Sequence, residues 1–286
     1  MGRKVTVICG STSTGKSNFT FDLVKKSPPS LIISADSRQF YKDIPIISGQ
    51  DNINKIPKHS LLVGQGFLGP NDSFSISQFK RYFLTQTSIF STYNLYVVGG
   101  SGLYLKALTE NLNNIEVPPN QKLRDQLSSK TVPQLQEKLK VLDEEKYSKM
   151  NNSDINNPRR LVRYIELSMS NRKKQKNNNK ILDFEFEWIG LRTDIISLEG
   201  KIKNRVISRI EAGAIAEVEE LQKNYPNKEL PIYTTLGVSQ IIDFLSKKID
   251  KTTMIKTWTT AELQYAKRQM VWFKKQPQIV WYDIDI

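Results

Sequence analysis

The chain has 286 residues, 38% of them hydrophobic, which allows one large or two modest domains with buried cores. Its formal net charge of +13 favours an anionic partner such as nucleic acid; a basic protein without such a partner is the alternative. A single cysteine, Cys9, excludes an intrachain disulfide framework, and no apolar run approaches the ~20 residues that span a bilayer, so we expect a cytoplasmic protein.

A G-x-x-x-x-G-K-S phosphate loop follows the apolar run at residues 5–9. Its glycines let the backbone wrap with N–H groups pointing inward, Lys16 reaches the terminal phosphates, and the Ser17 hydroxyl can bind Mg²⁺. A helix predicted over residues 18–26 adds the positive end of its dipole. A chance match in a Ser/Thr-rich turn is the alternative, but strand, loop and helix follow in the required order. A di- or triphosphate is therefore expected to bind Gly10, Ser11, Thr12, Ser13, Thr14, Gly15, Lys16 and Ser17.

The next elements alternate between short apolar runs and helical stretches. Strands are predicted at residues 5–9, 31–35, 61–63 and 95–98. This rhythm predicts an α/β fold with a parallel sheet flanked by helices, of the kind found in P-loop NTPases, with ligands at the carboxyl ends of the strands. We assign residues 1–112 to the first part of this catalytic core.

Charged helical sequence follows at residues 122–127, 132–142 and 158–169, with Asn-rich and Lys-rich loops predicted at 151–152, 156–157 and 175–180. Sheet-like sequence returns at residues 184–191, residues 195–270 are mainly helical, and 279–282 form a possible edge strand. The pattern predicts an inserted all-helical domain at 113–182 and a return to the core at 183–286.

The strand ends indicate what the phosphate loop is for. The strand at residues 96–98 leads into Gly99 and Gly100 rather than into an acidic residue, which disfavours motor ATPases and GTPases. The second strand ends at Asp36, and Asp36 and Gln39 can both face a substrate beside the phosphates. Asp36 is a candidate general base, with a helix cap as the alternative role.

Five stretches, in this order, resemble the bacterial tRNA dimethylallyltransferases, also called tRNA isopentenyltransferases. They are residues 10–17, 36–41 (D-S-R-Q-F-Y), 97–104 (V-V-G-G-S-G-L-Y), 157–163 (N-P-R-R-L-V-R) and 265–273 (Y-A-K-R-Q-M-V-W-F). The resemblance covers nearly the whole chain, and the series is far more specific than a phosphate loop alone.

The resemblance implies transfer of a dimethylallyl group from dimethylallyl diphosphate to N6 of adenosine 37 in tRNA. Lys16, the loop amides and Mg²⁺ near Ser17 would neutralise the leaving diphosphate. Arg124 would lend a further guanidinium, unless it is an ordinary surface arginine. Asp36 would accept the amine proton, and Ser101 would bind near the reacting groups, unless it is only a turn residue between glycines.

The resemblance also implies contacts with the anticodon stem-loop, whose target base must leave its stack. On the predicted helix through residues 265–275, the stripe of Leu263, Ala266, Met270 and Phe273 is expected to be core, and the basic positions can alternatively be a solvated face. The implied tRNA-binding residues are Asp36, Ser37, Arg38, Gln39, Arg159, Arg160, Leu161, Val162, Arg163, Lys267, Arg268, Gln269, Trp272 and Lys274. The inserted domain would clamp the stem, and we expect a monomer that needs no membrane.

The chain departs from the family's usual pattern in three places. Val238 and Ser239 replace an aromatic and a basic residue, the segment at residues 47–52 lacks the usual lysine, and Ile195 replaces an arginine. Because these changes leave Lys16 and Asp36 intact, we expect activity with altered RNA affinity.

Three other functions use some of the same residues. A small-molecule kinase would use the loop for ATP, but it needs no basic C-terminal helix. A prenyltransferase acting on free adenine nucleotides would share the core without the RNA-binding residues. A non-catalytic RNA-binding module is disfavoured by the intact Lys16 and Asp36.

Overall fold

The computed structural model describes residues 2–110, 117–170 and 183–284. The chain divides into two compact units, which we call the sheet unit (Met1–Glu110 with Lys180–Ile286) and the helical unit (Asn111–Asn179). The predicted domain limits at residues 112, 113 and 182 lie outside the described residues. Within the described ranges, every helix is too short or too polar to traverse a bilayer.

The sheet unit is built on parallel strands: β1 (Arg3–Gly10), β2 (Ser30–Ser34), β3 (Ser60–Val63), β4 (Asn94–Gly99), β5 (Phe184–Arg192) and β6 (Ile279–Asp283). In the described residues they form one sheet in the order β3-β2-β4-β1-β5-β6, and each neighbouring pair is parallel. All strands therefore end at the same edge, where α/β folds bind their ligands.

Both faces of the sheet are covered, which explains the continuous apolar runs in the strands. Val7 and Ile33 pack into the cluster on one face, whereas their chain neighbours Ile8 and Ile32 pack into the cluster on the other. Cys9 is buried in β1, as expected for a small apolar residue. The helices of this unit are α1 (Lys16–Val24), α2 (Pro45–Ser48), α3 (Ile76–Ile89), α4 (Gly102–Thr109), α10 (Ile195–Glu211), α11 (Ala214–Asn224), α12 (Val238–Leu245) and α13 (Lys251–Phe273).

The predicted strands are confirmed to within two residues at each end. The helix expected at residues 18–26 instead begins at Lys16, because Gly15 in a left-handed conformation leads directly into α1. The predicted return to the core is also confirmed, since β5 pairs with β1 after the helical segment. β6 lies at the sheet edge, as expected for the last strand.

The helical unit contains α5 (Gln121–Leu127), α6 (Val132–Leu142), α7 (Glu144–Ser148), α8 (Asn152–Ile155) and α9 (Pro158–Met169). Its core consists of Leu123, Leu127, Leu135, Leu139, Leu161 and Ile165, which recur at helical spacing. The loop predicted at residues 151–152 is partly wrong, because the Asn151 side chain accepts a hydrogen bond from Asp154 N and caps α8. The loop predicted at residues 175–180 lies outside the described residues.

Candidate active site

The phosphate loop lies between the end of β1 and the start of α1, at the carboxyl edge of the sheet. Its backbone has positive φ at Gly10 (140°), Ser13 (63°) and Gly15 (74°). A Cβ atom at Gly10 would lie 2.4 Å from the carbonyl oxygen of Leu191, so no larger residue fits there. The two glycines of the motif are thus required by the loop's conformation.

Positive charge is concentrated at this loop. The Lys16 ammonium donates a hydrogen bond to Ser11 O at 2.6 Å, and the guanidinium of Arg205 on α10 donates to the Thr12 hydroxyl. Burial and the neighbouring charge of Arg205 lower the pKa of Lys16 to about 8, while the carboxylate of Asp36 opposes the shift. Two adjacent cations in a cleft favour a multiply charged anion.

The loop hydroxyls fit an oxyanion. Ser13 Oγ is buried and makes no hydrogen bond to any described residue, which leaves it available to a ligand. Thr14 Oγ1 instead donates to Ser11 O at 2.9 Å and closes the turn. Ser17 follows Lys16 in the first turn of α1 and lines the cleft, where its hydroxyl can contact a metal ion or a phosphate oxygen.

Asp36 follows the carboxyl end of β2 and lines the same cleft as Lys16. Its Oδ1 accepts a hydrogen bond from Arg38 N at 3.0 Å, so the carboxylate is held by its own turn. This turn is not the start of a helix, which excludes the alternative role of Asp36 as a helix cap. Asp36 can therefore accept a proton from a group bound in the cleft.

Ser101 joins the ends of β2 and β4. Its Oγ accepts a hydrogen bond from Ser37 N at 3.3 Å, and its N donates to Ala35 O at 3.3 Å. Burial, followed by the charge of Asp36, raises the pKa of Tyr265 on α13 to about 12, whereas the Ser101 side chain opposes this rise. The neutral Tyr265 hydroxyl therefore lies in the neighbourhood of Asp36 with its proton retained.

Gln39 is part of a network that shapes the cleft wall. Its Oε1 accepts from Ser34 Oγ at 2.7 Å and from Gln65 Nε2 at 2.9 Å, and its Nε2 donates to Gly49 O at 2.6 Å. Gln65 Nε2 also donates to Asp51 Oδ2 at 3.0 Å. Most of the hydrogen-bonding capacity of the Gln39 side chain is used within the protein. The main role of Gln39 is therefore to shape the wall of the cleft.

Lys16, Ser17, Asp36 and Gln39 line one cleft of about 1070 Å³, whereas Ser101 and Tyr265 are not among its lining residues. We call it the phosphate-loop cleft; it is bounded by the phosphate loop, by Asp36 and Gln39 after β2, by residues 49–53, and by Arg205 and Arg209 of α10. This volume is at the upper end of the range of small-ligand sites.

Sequence reasoning missed Arg205, Arg209 and Glu262. Arg209 and Glu262 are both buried and form an ion pair of 2.8 Å between α10 and α13. The sequence contains one signal for this pair: Arg209 lies on the same face of α10 as the apolar residues Ile202 and Val206. A charged residue on such a stripe requires a buried partner.

The IPP transferase family model matches residues 39–276. A tRNA dimethylallyltransferase of Christiangramia forsetii is 33% identical, with 97% of this chain and 92% of the relative covered. This chain belongs to the IPP transferase family. The resemblance inferred from its motifs is thereby confirmed.

Solved structures of IPP transferases support the same assignment. A eukaryotic dimethylallyltransferase acting on tRNA has a TM-score of 0.81 at 26% identity, covering 98% of this chain and 74% of its own. The full-length tRNA isopentenylpyrophosphate transferase of Bacillus halodurans has a TM-score of 0.70 at 25% identity. The match covers 99% of this chain and 92% of that protein's chain. The predicted P-loop NTPase-like fold is confirmed by these neighbours.

In this IPP transferase, part of the face of helix α13 that was predicted to bind RNA is buried against the rest of the sheet unit. Gln269 is buried against the phosphate loop, and the Trp272 ring packs so closely on Gly102 that a Cβ there would lie 2.3 Å from it. Both ends of the Gln269 amide are bound inside the protein, and the predicted contact of Gln269 with tRNA stays a prediction. Lys267, Arg268 and Lys274 are exposed, and their contact with tRNA stays a prediction.

Arg38 and Ser37 have partners within the sheet unit. Arg38 donates to Pro231 O at 3.1 Å, and Ser37 N is bound to Ser101. Val238, one of the departures from the family pattern, is fully buried, so its side chain belongs to the core. The predicted tRNA contacts of Ser37 and Arg38 stay predictions.

The family's second basic stretch lies at the start of α9 in the helical unit. Leu161 is fully buried in that unit's core, and Val162 packs against the same core. The predicted tRNA contacts of Leu161 and Val162 stay predictions. Arg160 pairs with Asp154, and Arg159 is exposed. Arg163 donates to Glu166 Oε2 at 3.1 Å and to Val117 O at 2.8 Å.

Arg124 is held inside the helical unit. Its guanidinium forms a fork with the buried Glu166 carboxylate, at 2.6 Å from Nε and 3.0 Å from an Nη atom. Burial raises the pKa of Glu166, but the hydrogen bonds from Arg124 and Asn120 outweigh it and leave the pKa below its ordinary value. Arg124 thus stabilises this unit, and its contact with diphosphate stays a prediction.

Proposed function

We propose that this IPP transferase moves the dimethylallyl group of dimethylallyl diphosphate to N6 of adenosine 37 in tRNA. The observation that carries the proposal is a single cleft with an anion-binding loop on one side and Asp36 on the other, in a chain of this family. The N6–carbon bond forms as the carbon–oxygen bond to diphosphate breaks, and the amine proton passes to Asp36.

The diphosphate side of the cleft stabilises the leaving group. The loop amides, the unpartnered Ser13 hydroxyl, Lys16 and Arg205 surround the position where negative charge grows as the allylic bond breaks. Donors fixed in place before the reaction are worth more than mobile water, because they need no reorganisation. Arg205 was not predicted from the sequence, and it joins Lys16 in this role.

Mg²⁺ fits this side of the cleft. The ion prefers oxygen ligands and usually keeps several waters, so one protein hydroxyl and the diphosphate oxygens suffice. Ser17 supplies that hydroxyl at the start of α1, whereas the described residues contain no cluster of three or more metal-binding side chains. When bound, Mg²⁺ would neutralise charge on the diphosphate.

The acceptor side holds the adenine. An exocyclic amine is a weak nucleophile because its lone pair is delocalised into the ring, so position matters more than prior deprotonation. The backbone bond to Arg38 fixes Asp36, and the contacts of Ser101 with Ser37 and Tyr265 fix the neighbouring wall. Ser101 contributes a hydroxyl beside the reacting groups.

The positive charge of the protein supports the proposal that its partner is RNA. The net charge of +13 and the exposed Lys267, Arg268 and Lys274 on α13 suit phosphate contacts that position the anticodon stem-loop. Arg159 and Arg160, together with the helical unit, would contact the same RNA. We propose a monomeric enzyme that acts in the cytoplasm, where its tRNA substrate is found.

Nucleoside mass spectrometry tests the proposal. The protein is incubated with Mg²⁺, dimethylallyl diphosphate and either unmodified tRNA or AMP, and Asp36→Asn is compared with Asp22→Asn on the exposed side of α1. We expect prenylated adenosine on tRNA, a loss of about 10²-fold or more in Asp36→Asn, and full activity in Asp22→Asn. Product on AMP alone would indicate the free-nucleotide enzyme, and ATP turnover without prenylation would indicate a kinase.

A further inference from the structure

We propose that Gln269 is a positioning residue that holds the phosphate loop in its working place. The inference rests on the proposed function, because it concerns the loop that binds diphosphate. Gln269 Oε1 accepts a hydrogen bond from Thr12 N at 2.8 Å, and Gln269 Nε2 donates to Gly100 O at 2.9 Å. One side chain of α13 thus connects the loop after β1 to the glycine turn after β4.

The bridge is buried and closely packed. Gln269 is 6% exposed, and a Cβ atom at Gly100 would lie only 2.2 Å from its Nε2. Glycine at position 100 is therefore required for the amide to reach the backbone. Because the amide is almost fully buried, a lost hydrogen bond leaves the Thr12 N–H or the Gly100 carbonyl without its protein partner.

Thr12 is held from two sides. Its N–H is bound to Gln269, and its hydroxyl is bound to the guanidinium of Arg205. The N–H groups that follow in the loop, from Ser13 to Ser17, remain available to phosphate oxygens. Fixing Thr12 fixes where those donors point, so Gln269 acts on diphosphate through the loop.

The two hydrogen bonds of Gln269 also fix the distance between the part of the site that binds the leaving group and the part that binds the acceptor. Gly100 directly precedes Ser101, whose hydroxyl contacts the turn that carries Asp36. A rigid link between Thr12 and Gly100 therefore fixes the leaving-group side relative to the acceptor side. Reactions between two bound partners are sensitive to misplacement on the scale of 1 Å.

The amide chemistry allows a sharp test. A protonated carboxyl group can replace the amide, since its carbonyl accepts from Thr12 N and its O–H donates to Gly100 O. An ionised carboxylate cannot donate, and it repels the Gly100 carbonyl. Gln269→Glu is therefore expected to be defective at alkaline pH and restored at acidic pH, whereas Gln269→Leu is defective at both.

The experiment measures Mg²⁺-pyrophosphate affinity by calorimetry from pH 5.5 to 8.5 for the wild type and both variants. The matched control is Gln264→Glu, an exposed position on the same helix. The affinity of each variant is divided by the affinity of the wild type at the same pH. The contributions of the ligand and of the charged and titratable groups around the site then largely cancel. Those at the cleft are Lys16, Asp36, Asp51, Lys55, Arg205 and Arg209, and those on α13 are Lys251, Lys256, Glu262, Tyr265, Lys267 and Arg268.

We expect affinity about tenfold or more below wild type for Gln269→Leu at all pH values and for Gln269→Glu at pH 8.5. The Gln269→Glu ratio should approach one towards pH 5.5, and tRNA affinity should change little. A ratio independent of pH, or weaker tRNA binding with unchanged pyrophosphate affinity, would overturn the inference. Wild-type protein that binds no pyrophosphate and prenylates no tRNA would instead refute the proposed function.

Discussion

The buried ion pair between Arg209 and Glu262 offers a direct test of how α13 is held. Both side chains are less than a tenth exposed, and their closest atoms are 2.8 Å apart. Burial and the charge of Arg205 lower the pKa of Arg209 to about 10, so the guanidinium stays charged at neutral pH. In Glu262→Gln, that charge remains buried beside Arg205 with no carboxylate.

The size of the effect follows from this geometry. At an effective dielectric constant of ~20, a charge pair 2.8 Å apart attracts by about 6 kcal/mol, and the amide oxygen of the substitute retains part of this as a hydrogen bond. Removing one partner of a buried pair typically costs ~3–5 kcal/mol. We therefore expect Glu262→Gln to lower the free energy of unfolding by about 3 kcal/mol.

Urea denaturation at low salt measures this change, because urea carries no charge. The fully buried Trp258 on α13 is a nearby fluorescence reporter. Glu199→Gln, at an exposed position of α10, is the matched control and should change stability by less than about 0.5 kcal/mol. The double variant Arg209→Met with Glu262→Leu should recover at least half of the loss, since no charge is left unpaired.

Two results would refute this reasoning. One is a loss below about 1 kcal/mol in Glu262→Gln, which would mean that water reaches Arg209 in the folded protein. The other is a double variant less stable than Glu262→Gln, which would mean that packing around the pair matters more than its charge.

Three further predictions concern other parts of the molecule. Pyrophosphate affinity should fall as pH rises through about 8, because only the protonated Lys16 ammonium attracts the anion; calorimetry should show a flatter profile for Lys16→Arg, whose charge persists. Gly100→Ala should lose about 1–3 kcal/mol in thermal unfolding, because its Cβ would clash with the Gln269 amide, whereas Gly200→Ala has open space and should be neutral or stabilising. In the helical unit, Glu166→Gln should cost about 1–2 kcal/mol, because it removes the carboxylate bound by Arg124 and Arg163, whose partly exposed guanidiniums stay solvated; hydrogen exchange should then speed up in α6 and α9 but not in the strands. Equal acceleration in both units would contradict the last prediction.

The sequence alone determined the chemistry of the phosphate loop and the parallel sheet. Loop conformation depends on residues close together in the chain, so the glycines and Lys16 identify it without any tertiary information. The apolar runs of the strands are likewise local patterns, and they predicted β1 to β6 with small errors at the ends. The family was inferred because several such local motifs follow one another along the chain in the same order as in that family.

The tertiary structure decided which faces of the helices serve the site. Periodicity predicted a helix containing Gln269 and Arg268, but only packing turns Gln269 towards Thr12, 257 positions earlier in the chain, and leaves Arg268 exposed. Arg205, Arg209 and Glu262 belong to no motif and gain their role only from partners on other elements. A local pattern specifies backbone conformation and an apolar face, whereas the partner of a buried polar group is specified by the way distant elements pack.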